Sequence, residues 1–132
     1  MAASAFFAAF GVVVALFPDA VVLAPWTGAV GDVFYGGAEP AEAAAFRRFV
    51  MGPLGGTIAG SYVLQTFIAA VPFRRREPWA WWATLAGLLA WFVTDSALSL
   101  AHDAAFNVWM INLAPLAVFG PPLAMTRAAF RR

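Results

Sequence analysis

The sequence predicts an all-α polytopic membrane protein: four transmembrane helices in an up-down bundle, with an interfacial loop or short helix between the first two. Three observations carry that expectation. Hydrophobic residues make up 63% of the 132 positions and charged residues only 11%, more apolar surface than a soluble chain of this size can bury. Residues 79–100, WAWWATLAGLLAWFVTDSALSL, hold no charge before Asp95. A helix needs about 20 apolar residues to cross a hydrocarbon core of roughly 30 Å. The arginines gather at 47–48, at 74–76 and at 127, 131 and 132, where they flank apolar stretches as loop residues of membrane proteins do. At this length a single integral-membrane domain covering residues 1–132 is expected.

The first span is residues 2–17, apolar apart from Ser4. It resembles a signal-peptide core but has no positive flank before it, so it is read as a retained helix. Pro18 and Asp19 end it, since proline supplies no N–H to the helical ladder. Residues 19–37 carry the breakers Pro25, Gly28, Gly31, Gly36 and Gly37 among Val21, Val22, Leu23, Trp26, Phe34 and Tyr35. That mixture is too apolar for a freely solvated loop. It suits a connector lying in the headgroup layer or folded over the bundle end, or a lid over a ligand pocket.

Residues 39–51 read as a helix start, with Pro40 in the first turn and Glu39 and Glu42 at the positive end of the dipole. Pro53 is expected to interrupt, so that a short surface helix leads at an angle into the second span, residues 54–71. Gly52, Gly56 and Gly60 are spaced by four, and Gly55 and Ala59 widen the smooth face, which predicts close approach of another helix, within the chain or across a subunit boundary. Arg74, Arg75 and Arg76 form a tight turn before the third span, residues 79–100, with Trp79, Trp81 and Trp82 at one interface. The HDAAFN turn follows at 102–107, with Asp103 as a candidate N-cap. The fourth span, residues 106–125, contains Pro115, Gly120, Pro121 and Pro122 and is expected to bend.

With four spans, both termini and the 74–76 turn share one side. That side has six arginines, at 74, 75, 76, 127, 131 and 132, against Glu77. Arg47, Arg48, Asp19, Asp32, Glu39, Glu42, Asp95 and Asp103 fall on the other side. Positive-inside counting therefore predicts an inner-membrane protein with both termini cytoplasmic and an acidic outer face. A net charge of +1 gives no electrostatic footprint for nucleic acid. The absence of cysteine excludes disulfides, thiolate nucleophiles and cysteine-held metals, and the absence of lysine excludes a Schiff base.

Chemistry, where the sequence offers any, centres on Asp95. It lies 18 positions after Glu77, about 27 Å along a straight helix and so near the outer edge of the hydrocarbon. Ser99, one turn on, or Arg47 or Arg48 is its expected partner. Asp95, Ser99 and His102 share one helical face at spacings of four and seven. Asn107 and Asn112 follow on the next span at comparable depth. Together they form a candidate ligand set at the outer mouth of the bundle, for a polar headgroup, a metal ion or a substrate. A Ser-His-Asp hydrolase would need the imidazole to activate the serine, for which same-helix spacing alone is a thin sign. One histidine with two aspartates falls short of a zinc site, and no HExxH is present. His102 as ligand to the magnesium of a chlorophyll-type pigment is a narrower alternative. Gln65 lies near mid-bilayer, about 10 Å from the cytoplasmic end of its span. It is expected to hydrogen-bond Thr84 between helices, or to face a quinone or other lipophilic ligand.

Arg47-Arg48 before a glycine-rich span (RRFVMGPLGGTIAG), with a first span ended by Pro18-Asp19 and two further spans joined by a short turn, resembles the small bacterial DoxX-like four-helix membrane proteins. The long 19–37 connector and Pro53 depart from the compact form of that pattern. The resemblance implies an up-down four-helix bundle and brings no activity or catalytic residues with it.

Two functional readings follow. One is a structural or accessory subunit that packs against other membrane spans or a second copy of itself, its other partner being the bilayer. The other is a small-molecule module, with a lipophilic ligand, pigment or metal in a pocket at the outer face lined by Asp95, His102, Asn107 and Asn112. No catalytic residue and no particular cofactor is assigned.

Overall fold

The computed structural model describes residues 1–130; Arg131 and Arg132, both counted in the charge partition, lie outside the described residues. Every regular element among the described residues is helical. The chain divides into two compact units, Met1–Leu64 and Gln65–Arg132, with the boundary inside one long helix.

The first unit opens with α1 (Ala2–Leu16). Pro18 cannot extend the ladder, and the Phe17 N–H makes its closing bond, to Val13 O at 2.8 Å. A single 3-10 turn, Val21–Leu23, then leads into α2 (Ala24–Tyr35). The 19–37 connector is thus largely helical: Pro25 sits in the first turn of α2, where no N–H is needed. Gly36 ends α2 in the left-handed conformation at φ +68°. The segments Ala2–Leu16 and Val21–Tyr35 are bent by 97° at the break between them.

The helix α3 (Ala41–Ala70) runs for 30 residues with Pro53 inside it. The interruption expected at Pro53 does not occur, because the proline forfeits only its own ladder bond and the turns on either side continue. Within the first unit α1 and α3 are antiparallel. Phe7 stacks on Tyr62 at 5.0 Å, Gly11 meets Gly55 and Ala59, and Val14 packs with Met51. Leu23 joins the core there, flanked by Phe10 and Trp26.

The glycines that permit this crossing are Gly11 and Gly55. A Cβ on Gly11 would lie 2.5 Å from the Ala59 nitrogen and 2.8 Å from Gly55 O. Gly52, Gly56 and Gly60, the series predicted to face a neighbour, have nothing within 4 Å of a Cβ position. At 3.6 residues per turn Gly56 projects about 100° round from Gly55, so within the first unit α1 covers one face of α3 and leaves the GxxxG face open.

The second unit holds the end of α3, a turn at 71–76, α4 (Pro78–Ala101), a turn at 102–104, and a last helical run. That run comprises α5 (Ala105–Asn107), a π-helical turn Val108–Asn112, α6 (Leu113–Thr126) and a 3-10 turn Arg127–Phe130. The fourth span, expected to bend, widens into a π turn just before Pro115, which lacks the N–H for a regular bond, and then continues as helix through Pro121 and Pro122. Asp103 is not an N-cap. It ends α4 at φ +57°, and no side chain caps α5.

Trp81, Leu123 and Phe130 form the core of this unit, with Phe73, Leu85 and Leu88 against them. At Arg127 the helix tightens and the backbone N–H goes to Ala124 O. Leu123 O instead accepts the Trp81 Nε1–H at 2.9 Å. The tryptophan belt is therefore split: Trp79 and Trp82 face outward while Trp81 is internal.

Among the described residues α4 and the run Ala105–Phe130 are each long and apolar enough to cross a membrane; counting the bent pair Ala2–Leu16 and Val21–Tyr35 as one broken span gives three. The helix α3 is not among them. Its apolar stretch is diluted by Thr57, Ser61, Tyr62, Gln65 and Thr66. Outward-facing Leu98, Leu100, Trp109 and Met125 leave large apolar side chains on the surface of the second unit, as lipid contact requires.

Candidate functional site

The predicted polar set lies in the second unit and resolves into three separate arrangements. In the first, Asn107 reaches back from α5 to α4. Its Nδ2 donates to Asp95 Oδ2 at 2.9 Å and to Ser99 Oγ at 3.0 Å. The Ser99 hydroxyl donates to the Asp95 backbone carbonyl at 2.7 Å, one turn back. The expected Asp95–Ser99 side-chain bond is thus replaced by a shared amide. Arg47 and Arg48, the other expected partners of Asp95, are engaged with Asp19 and Glu39 instead. The 102–104 turn makes the Asn107 bridge possible, since the Ala104 N–H closes on Ser99 O at 2.8 Å and folds α5 back on α4.

In the second arrangement Asn112, at the end of the π turn, is fully buried and donates Nδ2 to Ser96 Oγ at 3.0 Å. Its Oδ1 has no hydrogen-bond partner. Ser96 went unmarked in the sequence because it neighbours Asp95 and so projects about 100° away from the Asp95 face. In the third, Gln65 Nε2 donates to Thr84 Oγ1 at 3.0 Å, the interhelical bond the sequence predicts, while Thr84 donates to Ala80 O at 2.9 Å.

His102 stays outside all three. It is an exposed residue in the turn after α4 and, among the described residues, makes backbone bonds only, to Leu98 O and Ser99 O. A hydroxyl–imidazole couple with Ser99 is therefore not assembled. Among the described residues no group of three or more His, Asp or Glu side chains is placed to hold a metal ion.

The strongest charge cluster lies in the first unit, at the break after α1. Arg47 Nε donates to Glu39 at 2.9 Å, and its other nitrogens reach Asp19 Oδ1 at 3.1 Å and Pro18 O at 3.2 Å. Arg48 Nε meets Asp19 Oδ2 at 2.7 Å. The hydrogen bonds from Arg48 and then Arg47 hold the Asp19 carboxyl below its usual range, and this turn lies outside both flanking helices. The network satisfies the Pro18 carbonyl left free where α1 stops and pins the bend to α3. Beside it lies a groove of about 460 Å³ whose polar lining includes Asp19, Thr27, Asp32 and Glu39.

A second groove, of about 330 Å³, lies between α4 and α6 and is apolar except for Arg127 at its end. Neither the ion network nor this groove was singled out from the sequence, although Pro18-Asp19 and Arg47-Arg48 stand there as the ends of two apolar runs. No family model, curated protein or solved structure matches the chain.

Proposed function

We propose that this chain is a structural or accessory subunit of a bacterial inner membrane, acting by packing against other membrane spans. The observation that carries the reading is the open face of α3, where Gly52, Gly56 and Gly60 have nothing within 4 Å of a Cβ position. Such a face lets a second helix backbone come close enough to gain dispersion contacts that lipid chains cannot match. The polar residues support the reading from the other side. Asp95, Ser99 and Asn107 are engaged with one another, as are Gln65 and Thr84, so these groups work as bonds between helices.

Four crossings with both termini in the cytoplasm fit this role. The antiparallel α1 and α3 of the first unit, the tight 71–76 turn and the reversal after α4 all suit an up-down path. The arginine partition supplies its orientation. The resemblance to DoxX-like proteins favours the same path and adds no chemistry.

Gentle detergent extraction followed by mass spectrometry of intact complexes tests the proposal. The expected result is a defined assembly with membrane proteins or with further copies. Gly56→Leu abolishes that assembly while the isolated chain keeps its helical content and is no less stable to unfolding. A monodisperse monomer recovered from native membranes contradicts the reading. The alternative, a module binding a lipophilic ligand, pigment or metal at the outer face, has one observation on its side: the buried Oδ1 of Asn112 lacks a partner. A small molecule that co-purifies with the chain and is lost in Asn112→Leu would establish it.

A further inference from the structure

The apolar groove of the second unit has a shape and a charge that specify an occupant. Its walls are Leu85 and Leu88 on α4 and Leu116 on α6, and Arg127 is its sole charged lining residue. Its floor is open because Gly120 has no side chain and a Cβ there would meet nothing within 4 Å. One wall is fixed, since the buried Trp81 ring is tethered to Leu123 O at 2.9 Å and cannot swing across the opening. The volume, about 330 Å³, falls in the range of pockets that hold small ligands. Both walls belong to segments long and apolar enough to cross a membrane, where an open groove would meet lipid chains.

The end of the groove is positive. Arg127 is exposed and makes no ion pair or side-chain hydrogen bond among the described residues. Phe73 packs on Phe130 with ring centroids 4.6 Å apart, which brings the turn carrying Arg74, Arg75 and Arg76 to the same end of the unit. The one carboxylate of that turn, Glu77, accepts the Trp79 Nε1–H at 2.6 Å. Four exposed arginines are therefore gathered at one end of the unit, beside a slot of acyl-chain character, and basic pockets between spans are where anionic lipid headgroups bind.

We propose that this groove binds one anionic phospholipid, with an acyl chain along Leu85, Leu88, Leu116 and Gly120 and the headgroup phosphate on Arg127. The acyl chain supplies the apolar contact and the phosphate gives Arg127 a partner that none of the described residues provides. A zwitterionic lipid carries the same chain, but its ammonium group would sit among arginines, so it is the weaker occupant.

The test uses the full chain in mixed micelles containing equal amounts of phosphatidylglycerol and phosphatidylcholine, with retained lipid counted by mass spectrometry of the intact protein. The expected result is one retained phosphatidylglycerol per chain. Arg127→Gln lowers its preference over phosphatidylcholine about fivefold, as loss of one basic residue at a lipid surface implies. Gly120→Leu fills the floor and removes the retained lipid, with circular dichroism unchanged. Ala124→Leu, also in the groove lining, blocks it independently should the glycine variant fold poorly. Equal retention of the two lipids by the unaltered chain, or retention by a folded groove-filling variant equal to that of the unaltered chain, overturns the proposal.

Discussion

Adjacent glycines on α3 should respond to the same substitution in opposite senses. In Gly55→Ala the new methyl would lie 2.5 Å from Gly11 O and 2.8 Å from the Ala15 Cα, and it would also meet the Ala15 nitrogen. These are backbone atoms of α1, which no rotamer change can move. Restoring an ordinary contact of 3.4 Å requires the helices to part by about 1 Å, which also loosens Gly11 from Ala59. Overpacking of this kind costs ~1–3 kcal/mol. In Gly56→Ala the methyl meets nothing within 4 Å. Alanine gains ~0.8–1.0 kcal/mol over glycine in a helix at either site. That gain cancels in the comparison, so Gly55→Ala should be the less stable of the two by ~1–3 kcal/mol, and Gly56→Ala should exceed the unaltered chain. Reversible unfolding in mixed micelles, followed by far-ultraviolet circular dichroism, measures both. Equal stabilities of the two alanine variants would refute the α1–α3 crossing described here.

Three further outcomes follow from the hydrogen bonds and charges. Trp81→Phe keeps a ring in the core but removes the indole donor to Leu123 O, which is left with the longer Thr126 hydroxyl contact at 3.3 Å; unfolding in micelles should show a loss of ~1 kcal/mol. Asn107→Leu leaves Asp95 Oδ2 and Ser99 Oγ without the shared amide and should cost ~1–3 kcal/mol, whereas Asp95→Asn retains an acceptor and should be milder than Asp95→Leu in the same assay. Asp19 has its carboxyl pKa lowered from 3.8 by Arg48 and Arg47. Its stabilising contribution is therefore present above the ordinary carboxylate value and is lost as pH falls through the lowered one. Melting temperatures measured from about pH 6 down to pH 3 should decline less steeply for Asp19→Asn than for the unaltered chain, and identical acid slopes would count against the network.

The spans that the sequence marked best are those with no competing signal. Residues 79–100 and 106–125 are apolar runs bounded by arginine or polar turns, and α4 and the Ala105–Phe130 run fall on them. The Gln65–Thr84 bond was legible because the two groups lie at matching depths on helices joined by a short turn. Three features were not legible. Proline at 53 reads as a break, but whether one lost bond ends a helix depends on its flanking turns. The GxxxG spacing of Gly52, Gly56 and Gly60, widened by Gly55 and Ala59, identifies a smooth face without saying which part of it meets a helix, and of these residues α1 packs only on Gly55 and Ala59. The Asp95 set shares a helical face on paper. The turn at 102–104 decides the outcome by bringing Asn107 onto Asp95 and leaving His102 outside.

The central claim, that the open face of α3 receives another membrane span, can be tested by cross-linking in native membranes. The chain contains no cysteine, so Gly56→Cys introduces a single reactive thiol with no background. A short thiol-reactive cross-linker should join Gly56→Cys to one defined species, a second copy or one recurring membrane protein. Leu98→Cys, on the exposed face of α4, should give none. An unlinked Gly56→Cys chain that is fully alkylated by a lipid-soluble maleimide would show that the face is turned to lipid, and would contradict the packing role.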